Sequence, residues 1–174
     1  MPANPNRSNA KPAPGSRFLS SAVAQNVRAA RRRRELTQEQ LSLRMKQLGH
    51  ETWSYQTVGE VERDNRSLSV DELFSLSAAL STALTDLLDP TGLNGENNEA
   101  IDFGGDITIP ATIVRHWTRG AFPVELAGPG SYQPVRVPPE LRDEVEAAMT
   151  QHMREEAVRR AKKARSTTTK RRTK

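Results

Sequence analysis

Two capping boxes constrain this chain more than any other feature of its sequence. In the run LTQEQL, Thr37 stands three positions before Gln40, and leucines flank the pair. The run LSVDEL repeats the arrangement with Ser69 and Glu72. In a capping box the two side chains bond each other's backbone N–H groups, while the flanking apolar residues pack together. Because each cap contributes roughly 1 kcal/mol, two helix starts are specified locally.

A third helix start lies between these two. Ser54 can cap a helix with Trp53 and Val58 as the flanking apolar pair, but Thr57 occupies the reciprocal position, so this box is incomplete. Apolar periodicity extends the starts into helices. We predict helices over residues 21–34, 38–48, 55–63 and 70–80, with a short fifth helix near Asp86. Their expected inward residues are Val23, Val27, Ala30, Leu41, Met45, Val58, Val61, Leu73, Leu76, Leu80, Leu84, Leu87 and Leu88. Short connections between them predict one all-α domain over residues 18–90.

Composition indicates looser organisation elsewhere, since only 35% of the residues are apolar and 5% are aromatic. We predict a disordered arm over residues 1–17, a linker over 91–105, a small β-containing unit over 106–138, a long helix over 139–165 and a disordered basic tail over 166–174.

Within the β-containing unit, the run Gly128-Pro129-Gly130 between two short β-like segments predicts a hairpin. Trp117 and Phe122 are expected to form its small core. The helix that follows carries an i, i+4 apolar row of Leu141, Val145, Met149 and Met153. Either this row packs against the hairpin or it pairs with a second copy, and we favour dimerisation.

The charges fall into three blocks. Residues 1–34 carry a net charge of +8, residues 35–158 carry −12, and residues 159–174 carry +9. Two cationic ends of this kind favour a polyanionic partner, most often nucleic acid. Alternatively, either basic end is a solvated segment that only keeps the chain in solution.

Several classes of function are disfavoured. The chain has no cysteine, which excludes disulfides, thiolate zinc sites and cysteine nucleophiles. His50, His116 and His152 lack metal-ligand spacing, and no phosphate-binding loop or catalytic constellation is present. We therefore expect no enzyme activity, no cofactor and no metal. No run is long and apolar enough for a membrane span, so we expect a cytoplasmic, nucleoid-associated protein.

The third predicted helix has the pattern of a helix that reads bases in a major groove. Val58 and Val61 face inward, which leaves Tyr55, Gln56, Gly59 and Glu60 outward. Gln can bond adenine bidentately and Glu can accept from cytosine N4, while a glycine lets the backbone approach closely. The alternative is an ordinary solvated helix face.

The capped second helix, the run SYQTVGEVE at residues 54–62 and the run SVDEL at residues 69–73 occur in this order. Together they resemble the helix-turn-helix domain of phage-repressor and Cro-type regulators, the XRE family, over residues 20–89. The resemblance implies a mainly α fold: a five-helix Cro/repressor-type domain, followed here by a small β-hairpin unit and a long C-terminal helix.

The resemblance also implies roles for individual residues. Tyr55, Gln56 and Glu60 fall where the family reads bases. Four further residues fall where the family contacts the DNA backbone: Gln38, Ser54, Thr57 and Arg66. Arg31 and Glu62 fall on the family's buried ion pair, which ties the first helix to the third.

Two features depart from the family pattern. The connection Gln47–Trp53 is longer than the usual turn of about three or four residues; we interpret it as an extended helix, a Gly49 cap and a loop held by Trp53. Asp64 stands where glycine is frequent, and it can adopt the left-handed conformation at some cost.

We therefore expect a sequence-specific double-stranded DNA-binding regulator, a repressor acting as a homodimer. The alternative is an antitoxin or adaptor that binds a protein partner through residues 101–165 and is tethered to DNA by its helical domain.

Overall fold

The computed structural model describes residues 16–93, 99–104, 107–128 and 131–172. It is mainly helical, with two small sheets. The N-terminal half forms five helices: α1 (Leu19–Arg33), α2 (Gln38–Gln47), α3 (Tyr55–Glu62), α4 (Val70–Leu80) and α5 (Leu84–Leu87). All five agree with the predicted helices to within about two residues.

Both predicted capping boxes are confirmed. Gln40 N donates to Thr37 Oγ1 at 3.1 Å, and Thr37 N donates to Gln40 Oε1 at 2.8 Å. Ser69 and Glu72 form the same pair of bonds at the start of α4. At the start of α3, Ser54 Oγ accepts from Thr57 N at 3.2 Å without a reciprocal bond. Local chemistry therefore fixes where three of the helices begin.

The apolar faces of these helices meet in one buried cluster. It consists of Val23, Val27, Ala30, Leu41, Met45, Trp53, Val58, Val61, Leu76, Ala79, Leu80 and Leu87. Leu73 and Leu88, which were predicted to face inward, are partly buried against it. Trp53 is only 1% exposed, so the predicted anchor of the connection before α3 is part of the core itself.

The C-terminal half forms a second unit. A three-stranded sheet contains β1 (Ser16–Phe18), β2 (Ala100–Gly104) and β3 (Ile107–Ile109), with β2 in the centre, parallel to β1 and antiparallel to β3. The helix α6 (Ala111–Thr118), the hairpin β4 (Val124–Gly128) and β5 (Ser131–Pro134), a short 3-10 turn (Pro139–Leu141) and α7 (Arg142–Arg172) complete it. Its buried cluster is Ile101, Ile109, Ile113, Val114, Phe122 and Val145.

Two sequence predictions in this unit are wrong. The last two residues of the predicted disordered arm, Ser16 and Arg17, belong to a strand that continues to Phe18, and the predicted linker contains the central strand β2. Ile101 is fully buried, which the Gly- and Asn-rich composition of its surroundings conceals. Residues 1–15, 94–98 and 105–106 lie outside the described residues, so the predictions made for them stay predictions.

The helix α6 was not predicted. Its β-branched residues favoured a strand, but Ile113 and Val114 are buried in a helix that Pro110 begins. The prediction that Trp117 is a core residue is wrong. It is 37% exposed and packs beside Phe103, with a ring separation of 5.9 Å. The predicted hairpin is confirmed in β4 and β5, with Pro129 and Gly130 outside the described residues.

The helix α7 is longer than predicted, since its backbone remains helical to Arg172, within the expected disordered tail. No proline or glycine interrupts this segment. Leu141, Val145 and Met149 pack against the second cluster, whereas Met153 is 59% exposed. Most of the apolar row is therefore used within the chain and is not free for a second copy. None of the described helices is long and apolar enough to cross a membrane.

Polar contacts join the two units. Within the helical domain, Asn26 Nδ2 of α1 holds the segment after α5 by donating to the carbonyl oxygens of Leu87 at 3.1 Å and Asp89 at 2.8 Å. The Asp89 carboxylate accepts from Arg119 at 3.0 Å and lies 3.4 Å from Arg115 Nε on α6. The Arg17 guanidinium of β1 donates to the carbonyl of Pro90. The sheet unit is thus attached directly to the end of the helical domain.

Candidate nucleic-acid interface

The helix α3 rests on the core through one face and presents the other to solvent. Val58 is fully buried and Val61 is 2% exposed. Tyr55, Gln56 and Glu60 are exposed, as expected for the predicted base-reading residues. The sheet unit and α7 do not cover them, because Tyr55 retains 55% of its accessible surface in the described chain.

Gly59 differs from its prediction. It was expected to face outward and let the backbone approach a partner, but it is buried. The atoms nearest to the position that a Cβ would occupy belong to the Arg63 guanidinium, at 3.3 Å for Nη1 and 3.5 Å for Nη2. The side chain of Arg63 therefore lies where the open backbone was expected.

Arg31 and Glu62 form a two-bond ion pair between α1 and α3. Arg31 Nε donates to Glu62 Oε1 at 2.6 Å, and Nη2 donates to Oε2 at 3.1 Å. Gln38 Nε2 at the start of α2 donates to the same carboxylate at 2.9 Å. One carboxylate thus holds three helices in a fixed relation, and Gln38 reaches it with one of the two N–H groups of its amide.

The surroundings of Glu62 stabilise its charged form. Burial by itself would raise the pKa of this carboxyl, but the hydrogen bonds from Arg31 and Gln38 and the positive charges of Arg31 and Arg28 outweigh burial and hold the pKa below its usual range. Glu62 is therefore ionised at neutral pH and serves the packing of α3, not its outer face.

Ser54 and Thr57 lie at the N-terminus of α3. Ser54 Oγ is 3.1 Å from Thr57 Oγ1, and it also caps the helix. Both residues are half-buried. Because the first N–H groups of a helix have no partner within it and carry partial positive charge, this end of α3 suits a phosphate group.

The long connection between α2 and α3 is fixed to α4. Gly49 has φ +91°, a conformation that side chains rarely adopt, and it ends α2 with the bond from His50 N to Met45 O at 3.1 Å. His50 Nε2 lies 2.8 Å from Ser75 Oγ, and Trp53 Nε1 donates to Glu72 Oε1 at 3.0 Å. The helix α2 ends at Gln47, within one residue of the predicted end.

Arg66 has internal partners that its sequence position did not indicate. It was expected to contact the DNA backbone, but its guanidinium pairs with Glu72 at 2.5 Å and lies 5.3 Å from the centre of the Trp53 ring. Burial by itself would raise the pKa of Glu72, but the bonds from Ser69 N, Arg66 and Trp53 and the charge of Arg66 outweigh burial and lower this pKa. Arg66 therefore links the connection before α3 to the connection after it. It does not contribute to the outer face of α3.

Asp64 adopts the predicted left-handed conformation, with φ +58°. Its carboxylate accepts from the hydroxyl groups of Ser20 and Ser21 at the start of α1. Asn65 N bonds to Glu60 O at 2.9 Å and closes the end of α3. These bonds to α1 are contacts that a glycine could not make, and they accompany the strained backbone at this position.

Two arginines of this surface, Arg63 and Arg28, were not among the predicted site residues. Arg63, exposed at the end of α3, lies seven residues after Gln56 and hence on the same line of the helix. Arg28, exposed on α1, is close enough for its charge to lower the pKa of Glu62. Arg63 already lies within the predicted helix 55–63, and its spacing of seven residues from Gln56 would have found it, whereas Arg28 depends on how α1 packs against α3.

No family model, curated protein or solved structure matches this chain. Within the described ranges, no group of three or more His, Asp or Glu side chains is placed to hold a metal ion. The geometry of α3 and its surroundings is therefore the basis for inferring a function.

Proposed function

We propose that this chain is a sequence-specific double-stranded DNA-binding transcriptional regulator, a repressor, whose helical domain is of the Cro/repressor helix-turn-helix type. The observation that carries the proposal is the exposed polar face of α3, which opposes the buried pair Val58 and Val61. A short helix held in this way can enter a major groove and present donors and acceptors to base edges.

In this proposal Tyr55, Gln56 and Glu60 read bases. Gln38, Ser54 and Thr57 position the phosphate backbone, since they lie at the starts of α2 and α3, where helix dipoles favour anions. Arg66 acts by holding the loop after α3 and not by a phosphate contact, because Glu72 already pairs with its guanidinium. Arg28 supplies the additional phosphate contact.

The proposed assembly on DNA is a homodimer on a pseudo-palindromic site, with half-sites about one helical turn apart. Leu141, Val145 and Met149 are used within the chain, so the dimer contact involves other residues. The basic residues of α7 that the structure describes as exposed, among them Arg160 and Lys162, add a strongly salt-dependent contribution to affinity.

The test is the selection of bound sites from random duplexes at about 0.1 M salt, with the wild type, Gln56→Ala and Gln47→Ala. Gln47 is the matched control, since it is an exposed glutamine at the C-terminal end of α2, outside the proposed base-reading face of α3. We expect Gln56→Ala to cost roughly 1–3 kcal/mol on the selected site and to relax one base position. Failure of the wild type to enrich any site, or equal effects of the two variants, would contradict the proposal.

A second candidate is an antitoxin- or adaptor-type module that binds a protein through residues 101–165. The exposed aromatic pair Phe103 and Trp117 favours it, together with Leu126, which is 75% exposed. In that case a partner should co-purify in stoichiometric amount, and Trp117→Ser should release it without changing DNA binding. A chain that purifies alone from its native host would exclude this candidate.

A further inference from the structure

We propose that Arg63 is a further specificity-determining residue of α3, that it reads a guanine, and that Gly59 is the positioning residue that makes this possible. The inference rests on the proposed function, which gives α3 its place in the major groove. It adds a base contact that the family resemblance does not assign.

The contact between Arg63 and Gly59 is the first observation. A Cβ at residue 59 would lie 3.3 Å from Nη1, 3.5 Å from Nη2 and 3.7 Å from Cζ of Arg63. The guanidinium therefore lies against the backbone of Gly59, one turn before its own Cα. A side chain at residue 59 would have to share this space with it.

The direction of the Arg63 side chain is the second observation. Arg63 is the C-cap of α3, at the end of the helix that a docked recognition helix holds farther from the bases. Helical side chains lean toward the N-terminus, and the contact with Gly59 shows that Arg63 does so. Its donors are thereby moved toward the turn of Gln56, which lies on the same line of the helix.

The free donors of Arg63 are the third observation. Arg31 and Arg66 are paired with Glu62 and Glu72, whereas Arg63 forms no ion pair within the part of the chain that the structure describes. Its side chain is exposed. A planar guanidinium with free donors matches the O6 and N7 acceptors of guanine better than any other side chain does.

Site selection with the full chain tests the inference. We compare the wild type with Arg63→Ala, Arg63→Lys and Gly59→Ala, and then measure binding to the selected duplex with 7-deazaguanine replacing each guanine in turn. We expect Arg63→Ala to lose preference at one guanine position by about tenfold or more. The wild type should lose about as much when N7 is removed at that position, and Arg63→Lys should not restore the preference, because lysine lacks the planar fork.

The variant Gly59→Ala distinguishes a role of Gly59 in positioning Arg63 from a role in the stability of the fold. Alanine forms helices better than glycine does, so the melting temperature should not fall, while the displaced guanidinium should lose the same guanine preference. Unchanged base preference in this variant would overturn the role of Gly59.

The remaining outcomes are distinguishable. If Arg63→Ala weakens all duplexes equally and Arg63→Lys restores them, Arg63 contacts a phosphate; the inference then fails while the proposed function stands. No effect of Arg63→Ala also overturns it. If the wild type enriches no site, the proposed function fails and this inference fails with it.

Discussion

The guanidinium of Arg31 and the carboxylate of Glu62 meet through two parallel hydrogen bonds of 2.6 and 3.1 Å. Their side chains are 12% and 4% exposed, so the pair is largely withdrawn from water. Gln38 adds a third bond to the same carboxylate. Because α1, α2 and α3 meet at this carboxylate, the orientation of the candidate recognition helix depends on one buried charge.

Glu62→Gln should destabilise the protein by roughly 3 kcal/mol, because it leaves the Arg31 charge without its counter-ion in a buried site. Glu60→Gln is the matched control: Glu60 is exposed two residues earlier on the same helix, and this change should cost less than about 0.5 kcal/mol. Urea denaturation measures both free energies of unfolding. Equal values for the two variants would show that the ion pair does not contribute to stability.

Stability should also fall in acid. The pKa values of Glu62 and Glu72 are lowered in the folded state, so the unfolded chain binds protons more readily. The stabilisation is present above the unfolded pKa of about 4.3 and is lost as the pH falls through the lower folded values. Denaturation curves from pH 7 to pH 3 should show this loss, and it should be smaller in Glu62→Gln. An unchanged slope in that variant would contradict the assignment.

His152 predicts a separate effect nearer neutral pH. The ring is 9% exposed and lies 3.3 Å from Thr108 Oγ1. Burial lowers its pKa, and this outweighs the opposite effect of Glu156. The unfolded chain therefore binds a proton below about pH 6.5 that the folded chain resists, so stability should fall as the pH decreases from about 6.5.

Urea denaturation at pH 7.5 and pH 5.5 checks this prediction. The wild type should lose up to about 1 kcal/mol, and His152→Gln should lose less. An equal loss in both proteins would assign the pH dependence to another group.

The two tryptophans should report different environments. Trp53 is 1% exposed and hydrogen-bonded to Glu72, whereas Trp117 is 37% exposed. In Trp117→Phe, the remaining fluorescence should be blue-shifted and resistant to iodide quenching until the chain unfolds. In Trp53→Phe the remaining emission should be red-shifted and easily quenched, and this variant should be less stable by roughly 1–3 kcal/mol. Similar quenching in both variants would contradict the burial of Trp53.

Asp89 should contribute more to the free energy of unfolding than Arg119, which contacts it. Its carboxylate accepts from Thr91 N at 2.9 Å and Thr91 Oγ1 at 2.6 Å, as well as from Arg119 at 3.0 Å. Asp89→Ala should cost roughly 2–4 kcal/mol, because it leaves these donors unpaired. Arg119→Ala should cost less than about 1 kcal/mol, since that side chain is 40% exposed. Thermal or urea unfolding compares them, and the reverse order would refute the role of Asp89 as the junction of the two units.

Much of the helical domain could be predicted because its signals are local. The caps at Thr37, Ser54 and Ser69 involve partners three residues away, and the inward faces follow from helical spacing. The exposure of Tyr55, Gln56 and Glu60 followed from the burial of Val58 and Val61 on the opposite side. Gly59 was misjudged because a residue one turn away covers it.

The sheet unit could not be predicted in the same way. Its central strand β2 is defined by pairing with β1, which lies at the other end of the helical domain in sequence. A three-residue strand such as Ser16–Phe18 has no periodicity of its own to detect. The partners of Arg17 and Asp89 likewise lie in chain segments that only folding brings together.

The amino-acid sequence by itself determined where the helices of the first domain begin and which faces they bury, because neighbouring residues supply those interactions. Only the tertiary structure decided that β1 and β2 share a sheet, that Arg17 bonds the carbonyl of Pro90, and that Arg119 pairs with Asp89. Strand pairing and ion pairs depend on distances between segments, and those distances exist only once both clusters have formed.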